Sequence, residues 1–208
     1  MEKAKDVDEY IARHRQIIED NPDCGASMYN LAVALIAKKE YNEAEKYLYR
    51  SLDNSPGLAE AYIQLGGLCL RRGDMEGCLD FNRQAVRAKP GFAEGWGNIG
   101  FVHLQRGELE DAITALRKAT AFNFRFVQAF ASLASAYLMN GNIDESIETG
   151  HKVLELAPDF AVAHNNLAIA YMEQDDWEKA IAHCDRAISG GYDVPEEIRR
   201  EIDAHRQS

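Results

Sequence analysis

Pro22, Pro56 and Pro90 stand 34 residues apart, and Pro158 stands two such steps further on, with Phe124 in the skipped place. Glycine keeps the same step at Gly73, Gly107 and Gly141, and again at Gly66 and Gly100. So do small residues (Ala44, Cys78, Ala112, Ser146, Ala180) and large apolar ones (Leu31, Leu65, Ile99, Leu133, Leu167). Breaker, small and large residues on one period describe copies of a supersecondary unit that cannot bury its apolar face alone. Between the breakers apolar residues recur at three and four, which is helical spacing. No run of alternating β-branched residues bounded by tight turns gives a strand. The fold class expected is therefore all-α, built from antiparallel helix hairpins.

The columns have mechanical reasons. The small residues Ala32, Gly66, Gly100, Ala134 and Ala168 of each first helix face Ala112 and its equivalents on the second. Small against small sets a close crossing, and large side chains fill around it. Gly73, Gly107 and Gly141 fall where a first helix must end in a left-handed cap. Proline stops the second helix before the next unit starts. The units read as 25–58, 59–92, 93–126, 127–160 and 161–194. Residues 6–22 fit the second helix alone of a preceding unit, and 195–206, with Ile198 and Ile202, a solvating cap helix. The whole of 1–208 reads as a single domain.

These residues resemble the tetratricopeptide repeat, with its W-x-x-L-G-x-x-Y, A-x-x-x-F and P columns. The third unit carries Trp96, Ile99, Gly100, Ala112, Leu116 and Ala119. The fifth carries His164, Leu167, Ala168, Tyr171, Ala180, Cys184 and Ala187, and the second Tyr62, Leu65, Gly66, Cys69, Cys78, Ala85 and Pro90. The likeness covers roughly residues 6–192. It implies a right-handed superhelix, an α-solenoid, whose concave face is lined by the first helices.

Composition excludes several functions. The formal net charge is −11, and no basic stripe longer than Arg71-Arg72 or Arg199-Arg200 is present, so a nucleic-acid partner is not expected. No apolar run approaches a membrane span, and the charged start is no secretory signal. Cys24, Cys69, Cys78 and Cys184 form no CxxC pair and accompany no zinc-spaced histidines. They read as reduced thiols in a cytoplasmic protein without a cofactor or metal. Gly95-Trp96-Gly97-Asn98-Ile99-Gly100 matches GxGxxG only superficially, inside a helix with no strand before it. Neither GxSxG nor HExxH is present. Glu108 and Asp111 sit at a helix start, where carboxylates complement the dipole. The chain is not expected to be an enzyme.

Function then falls to a surface. A stripe offset by about two residues from the core stripe of each first helix carries Val33, Ile36, Leu70, Phe101, Leu104, Leu138, Ile169 and Met172, more apolar than solvent demands. Beside it runs an amide column, Asn30, Gln64, Asn98 and Asn166, interrupted by Ser132. Amides donate and accept at once, which suits an extended peptide backbone. The expected site is thus a peptide-binding groove of Asn30, Val33, Gln64, Leu70, Asn98, Phe101, Leu104, Leu138, Asn166, Ile169 and Met172. Relatives that grip the acidic C-termini of heat-shock chaperones use paired Lys, Arg and Asn on first helices. No Lys or Arg stands among these positions. The expected role is an adaptor binding a peptide or helix of another protein. The alternative is a self-associating scaffold, a homo-oligomer, for which Phe122, Phe124 and Phe126 at the junction without proline would serve.

Overall fold

The structure, a computed structural model, describes residues 2–206, with side chains from Asp6 onward. Twelve helices and no strand are found among the described residues. They are α1 (Glu2–Asp20), α2 (Gly25–Ala37), α3 (Tyr41–Asn54), α4 (Ala59–Arg71), α5 (Met75–Ala88), α6 (Ala93–Gln105), α7 (Leu109–Phe122), α8 (Val127–Met139), α9 (Ile143–Leu156), α10 (Ala161–Met172), α11 (Trp177–Ser189) and α12 (Glu196–His205). The chain divides into two compact units, Met1–Asn98 and Ile99–Ser208, so α6 contributes to both.

In the N-terminal unit, α2 pairs with α3 and α4 with α5. Met28, Leu31 and Leu35 of α2 pack with Leu48 and Leu52 of α3, with Ile11 and Ile18 of α1 on one side and Leu65 and Leu68 of α4 on the other. Each large side chain buried this way contributes about 1.5–3 kcal/mol. The apolar spacing of α1 thus places one stripe on α2. In the C-terminal unit, Leu167, Ala168 and Tyr171 of α10 pack on Ala180, Cys184 and Ala187 of α11, and Val194 and Ile202 close that core. Ala131, Val153 and Ala163 form a second cluster between α8, α9 and α10.

The small columns are where sequence placed them. Ala32, Ala134 and Ala168 are buried, as are Ala44, Ala112 and Ala180 opposite. A Cβ at Gly100 would lie 2.5 Å from Cγ of Leu116 and 3.2 Å from the Ala112 carbonyl. The second helix approaches because nothing larger stands there. Where the column holds serine, the hydroxyl is satisfied: Ser146 Oγ donates to the Ala134 carbonyl at 2.9 Å.

First-helix ends use the left-handed region in every hairpin. Gly73, Gly107 and Gly141 have φ of +79°, +72° and +79°. In the first hairpin Lys39 takes this conformation at +65°, and in the fifth Asp175 at +57°. The glycine column missed both because the turn geometry outlasts the residue that makes it easy. A Cβ in this region costs on the order of 1 kcal/mol.

Candidate functional site

The residues expected to form the groove lie on the first helices of both units. In the N-terminal unit Val33 is 37% exposed, and Ile36, Leu70, Asn30, Gln64 and Asn98 are half-buried. In the C-terminal unit Phe101, Leu104, Leu138, Ile169 and Met172 are half-buried, while Asn166 is only 9% exposed. Gly97, Ala131 and Asn165, which share the offset stripe, are buried. An offset of two residues therefore picks out solvent-facing side chains in α2 and α4 and drifts toward the core in α8 and α10.

The amides brace helices to one another. Asn98 Nδ2 donates to Asn82 Oδ1 at 2.9 Å, and Asn82 Nδ2 donates to the Cys78 carbonyl at 2.7 Å. Asn82 is fully buried, in a column filled elsewhere by Leu48, Leu116, Gly150 and Cys184. A lone amide in that column was the signal for this pair, and sequence reading did not use it. Asn166 Nδ2 donates to Ser135 Oγ at 2.7 Å. Gln64 hydrogen-bonds the hydroxyl of Tyr29, whose pKa is nevertheless raised, chiefly by burial and then by Glu60. Asn165 Oδ1, buried on α10, has no protein partner.

Basic residues at the edge of the face are engaged. Arg72 makes two hydrogen bonds to the Glu45 carboxylate, at 2.8 and 3.0 Å, and the Arg71 guanidinium lies 3.5 Å over the ring of Tyr41. Neither forms part of an anion clamp.

An apolar cleft of about 360 Å³ opens between α1 and α2. Val7 and Tyr10 line it from α1, and Tyr29, Val33 and Ala37, one helical turn apart, from α2. Asp6 stands at its rim.

The histidines are joined rather than separate. His164 Nε2 lies 3.0 Å from the Pro158 carbonyl, which can only accept, so this nitrogen carries the proton. In neutral His164, Nδ1 is then an acceptor, and His183 Nδ1, 2.9 Å away, donates to it. His151 Nε2 is 2.8 Å from the Tyr171 hydroxyl, and the Tyr171 ring stacks on His183. Burial, followed by His164, His151 and Arg186, pushes the pKa of His183 down to about 4. Trp96 makes the equivalent bond one repeat pair earlier, from Nε1 to the Pro90 carbonyl at 2.8 Å.

His103, Glu108 and Asp111 bring donor atoms within 4.8 Å of one another. His103 hydrogen-bonds Glu108, and both carboxylates are exposed at the start of α7. The trio reads as a fastened turn. Cys69, Cys78 and Cys184 are buried and Cys24 is half-buried, and all four are free thiols. Burial raises the pKa of Cys69 and Cys184, which leaves them unreactive.

Family models described as tetratricopeptide repeat match residues 5–59, 80–126, 98–159 and 161–189. The chain belongs to the tetratricopeptide repeat family. Proteins of this fold generally mediate protein–protein interaction. Among solved structures, this tetratricopeptide chain is similar to YrrB, described as a TPR protein with an unusual peptide-binding site, at TM-score 0.75 and 21% identity over 92% of this chain and 97% of that one. It is similar to PilF of Pseudomonas aeruginosa at TM-score 0.74 and 15% identity, covering 88% and 90% of the two chains. For MamA residues 41 to the end, from Desulfovibrio magneticus RS-1, the values are 0.70, 19%, 80% and 94%. A search of curated proteins finds no match. Among the described residues of this tetratricopeptide chain, no helix is long and apolar enough to cross a membrane.

Proposed function

We propose that the chain is an adaptor that holds a peptide or helix of a partner protein along its first helices, in the cytoplasm. The observation that carries the reading is the state of the stripe residues. Val33, Ile36, Leu70, Phe101, Leu104, Leu138, Ile169 and Met172 all keep surface, and Val33, Phe101 and Ile169 do so between buried neighbours on both sides. Apolar side chains kept at the surface of the first helices within each unit mark an interaction site. Asn98, whose side-chain carbonyl is not used in its bond to Asn82, supplies a polar group beside them. The site binds rather than catalyses. Its energy is concentrated in a few anchors, of which Phe101 is the largest.

Partner capture from the native cell followed by calorimetry of variants tests this. Phe101→Ala is expected to lose about 2 kcal/mol of affinity at an unchanged melting temperature. Wild-type affinity in both Phe101→Ala and Leu70→Ala would move the binding surface elsewhere.

Self-association is the second reading. Phe122 and Phe124 are 53% and 71% exposed, which favours it. Charge opposes it in the same unit: residues 99–208 carry 18 Asp and Glu against 10 Lys and Arg. Light scattering of the purified protein tests it, with a monomer overturning the self-association reading.

A further inference from the structure

The cleft between α1 and α2 differs from the rest of the first-helix face because one of its walls is not a first helix. Ile11 and Ile18 seal the C-terminal half of α1 onto the core. Its N-terminal half presents Val7, which is only partly buried, and Tyr10, which is 43% exposed. Opposite them Tyr29, Val33 and Ala37 complete an apolar trough whose volume lies at the small end of ligand clefts. Tyr10 and Val33 are two of the most exposed large apolar side chains of this unit, and the same cleft brings them together. That coincidence argues for an occupant.

The charge around the trough says which. Among the described residues no Lys or Arg lines it, and Asp6 does. Asp8 is paired with Lys38 at 2.7 Å and Glu60 with Lys89 at 3.2 Å, so their charges are already met. Asp6 has no ion pair among the described residues. A bulky aliphatic side chain fits the trough, and a cation beside it in the partner's sequence meets Asp6. An acidic neighbour would be repelled by Asp6 and find no counter-charge among the described residues that line the cleft.

Resting on the adaptor reading, we propose that the α1–α2 cleft is the anchor pocket for a partner peptide in which a large aliphatic residue is flanked by lysine or arginine. The probe is acetyl-Ala-Leu-Lys-Leu-Ala-amide, titrated into methyl-labelled full-length protein, beside the same peptide with Glu for Lys. The lysine probe is expected to give saturable shifts at the Val7, Val33 and Ala37 methyls and to bind at least fivefold more tightly than the glutamate probe. Asp6→Asn should bring the two probes within twofold. Val33→Arg, at an exposed position, should weaken the lysine probe at least tenfold with the melting temperature unchanged. Equal binding of the two probes to wild type overturns the proposal. Shifts at Leu70 and Ile36 with Val33 silent overturn it while leaving the adaptor reading in place. Silence at every first-helix methyl overturns both.

Discussion

Helices α1 and α12 each cover one hairpin, α2/α3 in the N-terminal unit and α10/α11 in the C-terminal unit, yet the surfaces they cover end in different states. Beneath α12 the core is shut: Ile202 and Val194 are buried, and Trp177 of α11 stacks on His205. Beneath α1 only the C-terminal half is shut, and the other half leaves the cleft lined by Tyr29 and Val33. Both helices are charged on their outer faces, so outward polarity does not separate a cap from a wall of a site. The difference lies in how far the inward stripe runs. The two units also handle buried histidine differently. In the N-terminal unit His14 is buried with Nδ1 unpartnered, whereas His164 and His183 share their ring nitrogens.

The largest test of the contrast between the end helices is truncation of their inward side chains. Ile202→Ala should cost about 2–4 kcal/mol, the range for a fully buried aliphatic. Val7→Ala should cost less than about 1 kcal/mol, because it borders an open cleft. Urea denaturation followed by circular dichroism measures both, and equal costs would mean that α1 closes its hairpin as tightly as α12.

Acid provides the next test. The folded state holds His183 neutral, with a pKa near 4 against an ordinary 6.5. Its contribution is therefore full above pH 6.5 and is lost as pH falls toward 4, where the unfolded chain takes up a proton that the folded one refuses. The shift corresponds to about 3 kcal/mol at most, and to about 2 kcal/mol for a ring that is only partly shielded. His14 is lowered too, by burial and by Arg13, with the same sign. Melts between pH 7.5 and 4.5 should show His183→Phe losing much of this pH dependence. A slope identical to wild type would place the acid sensitivity elsewhere.

The smallest expected effect concerns the hairpin turns. Lys39→Gly and Asp175→Gly should each stabilise the protein by about 0.5–1 kcal/mol, since both residues occupy the left-handed region that glycine enters freely. Thermal melts check this, and destabilisation by either would show that the side chain supports its turn.

The sequence announced its helices and hairpins because packing residues repeat, and repetition survives single losses such as Pro to Phe124. Gly100 and Ala112 could be paired from spacing alone, since only small residues allow that crossing. What spacing could not give were contacts made by residues unlike their column. Asn82 bonds Asn98 from a position held by leucine in two other hairpins, and His183 donates to His164 across two helices. The face itself was half legible. Its apolar members keep surface, but Asn166 and Asn165 turned out buried because helix α10 packs closely on its neighbours. The cleft of α1 was not foreseen, since it depends on where one stripe stops rather than on which residues compose it.

The bonds from Trp96 to the Pro90 carbonyl and from His164 to the Pro158 carbonyl tie a first helix back to the junction before it. At the intervening junction both partners are different: Phe124 replaces the proline, and the Phe130 side chain has no N–H to donate. Residues 123–126 are therefore stitched to α8 by fewer threads than their counterparts, with Phe124 standing out into solvent. That makes this joint, rather than those at Pro90 or Pro158, the place where extra residues could be spliced into the chain at least cost to either flanking helix.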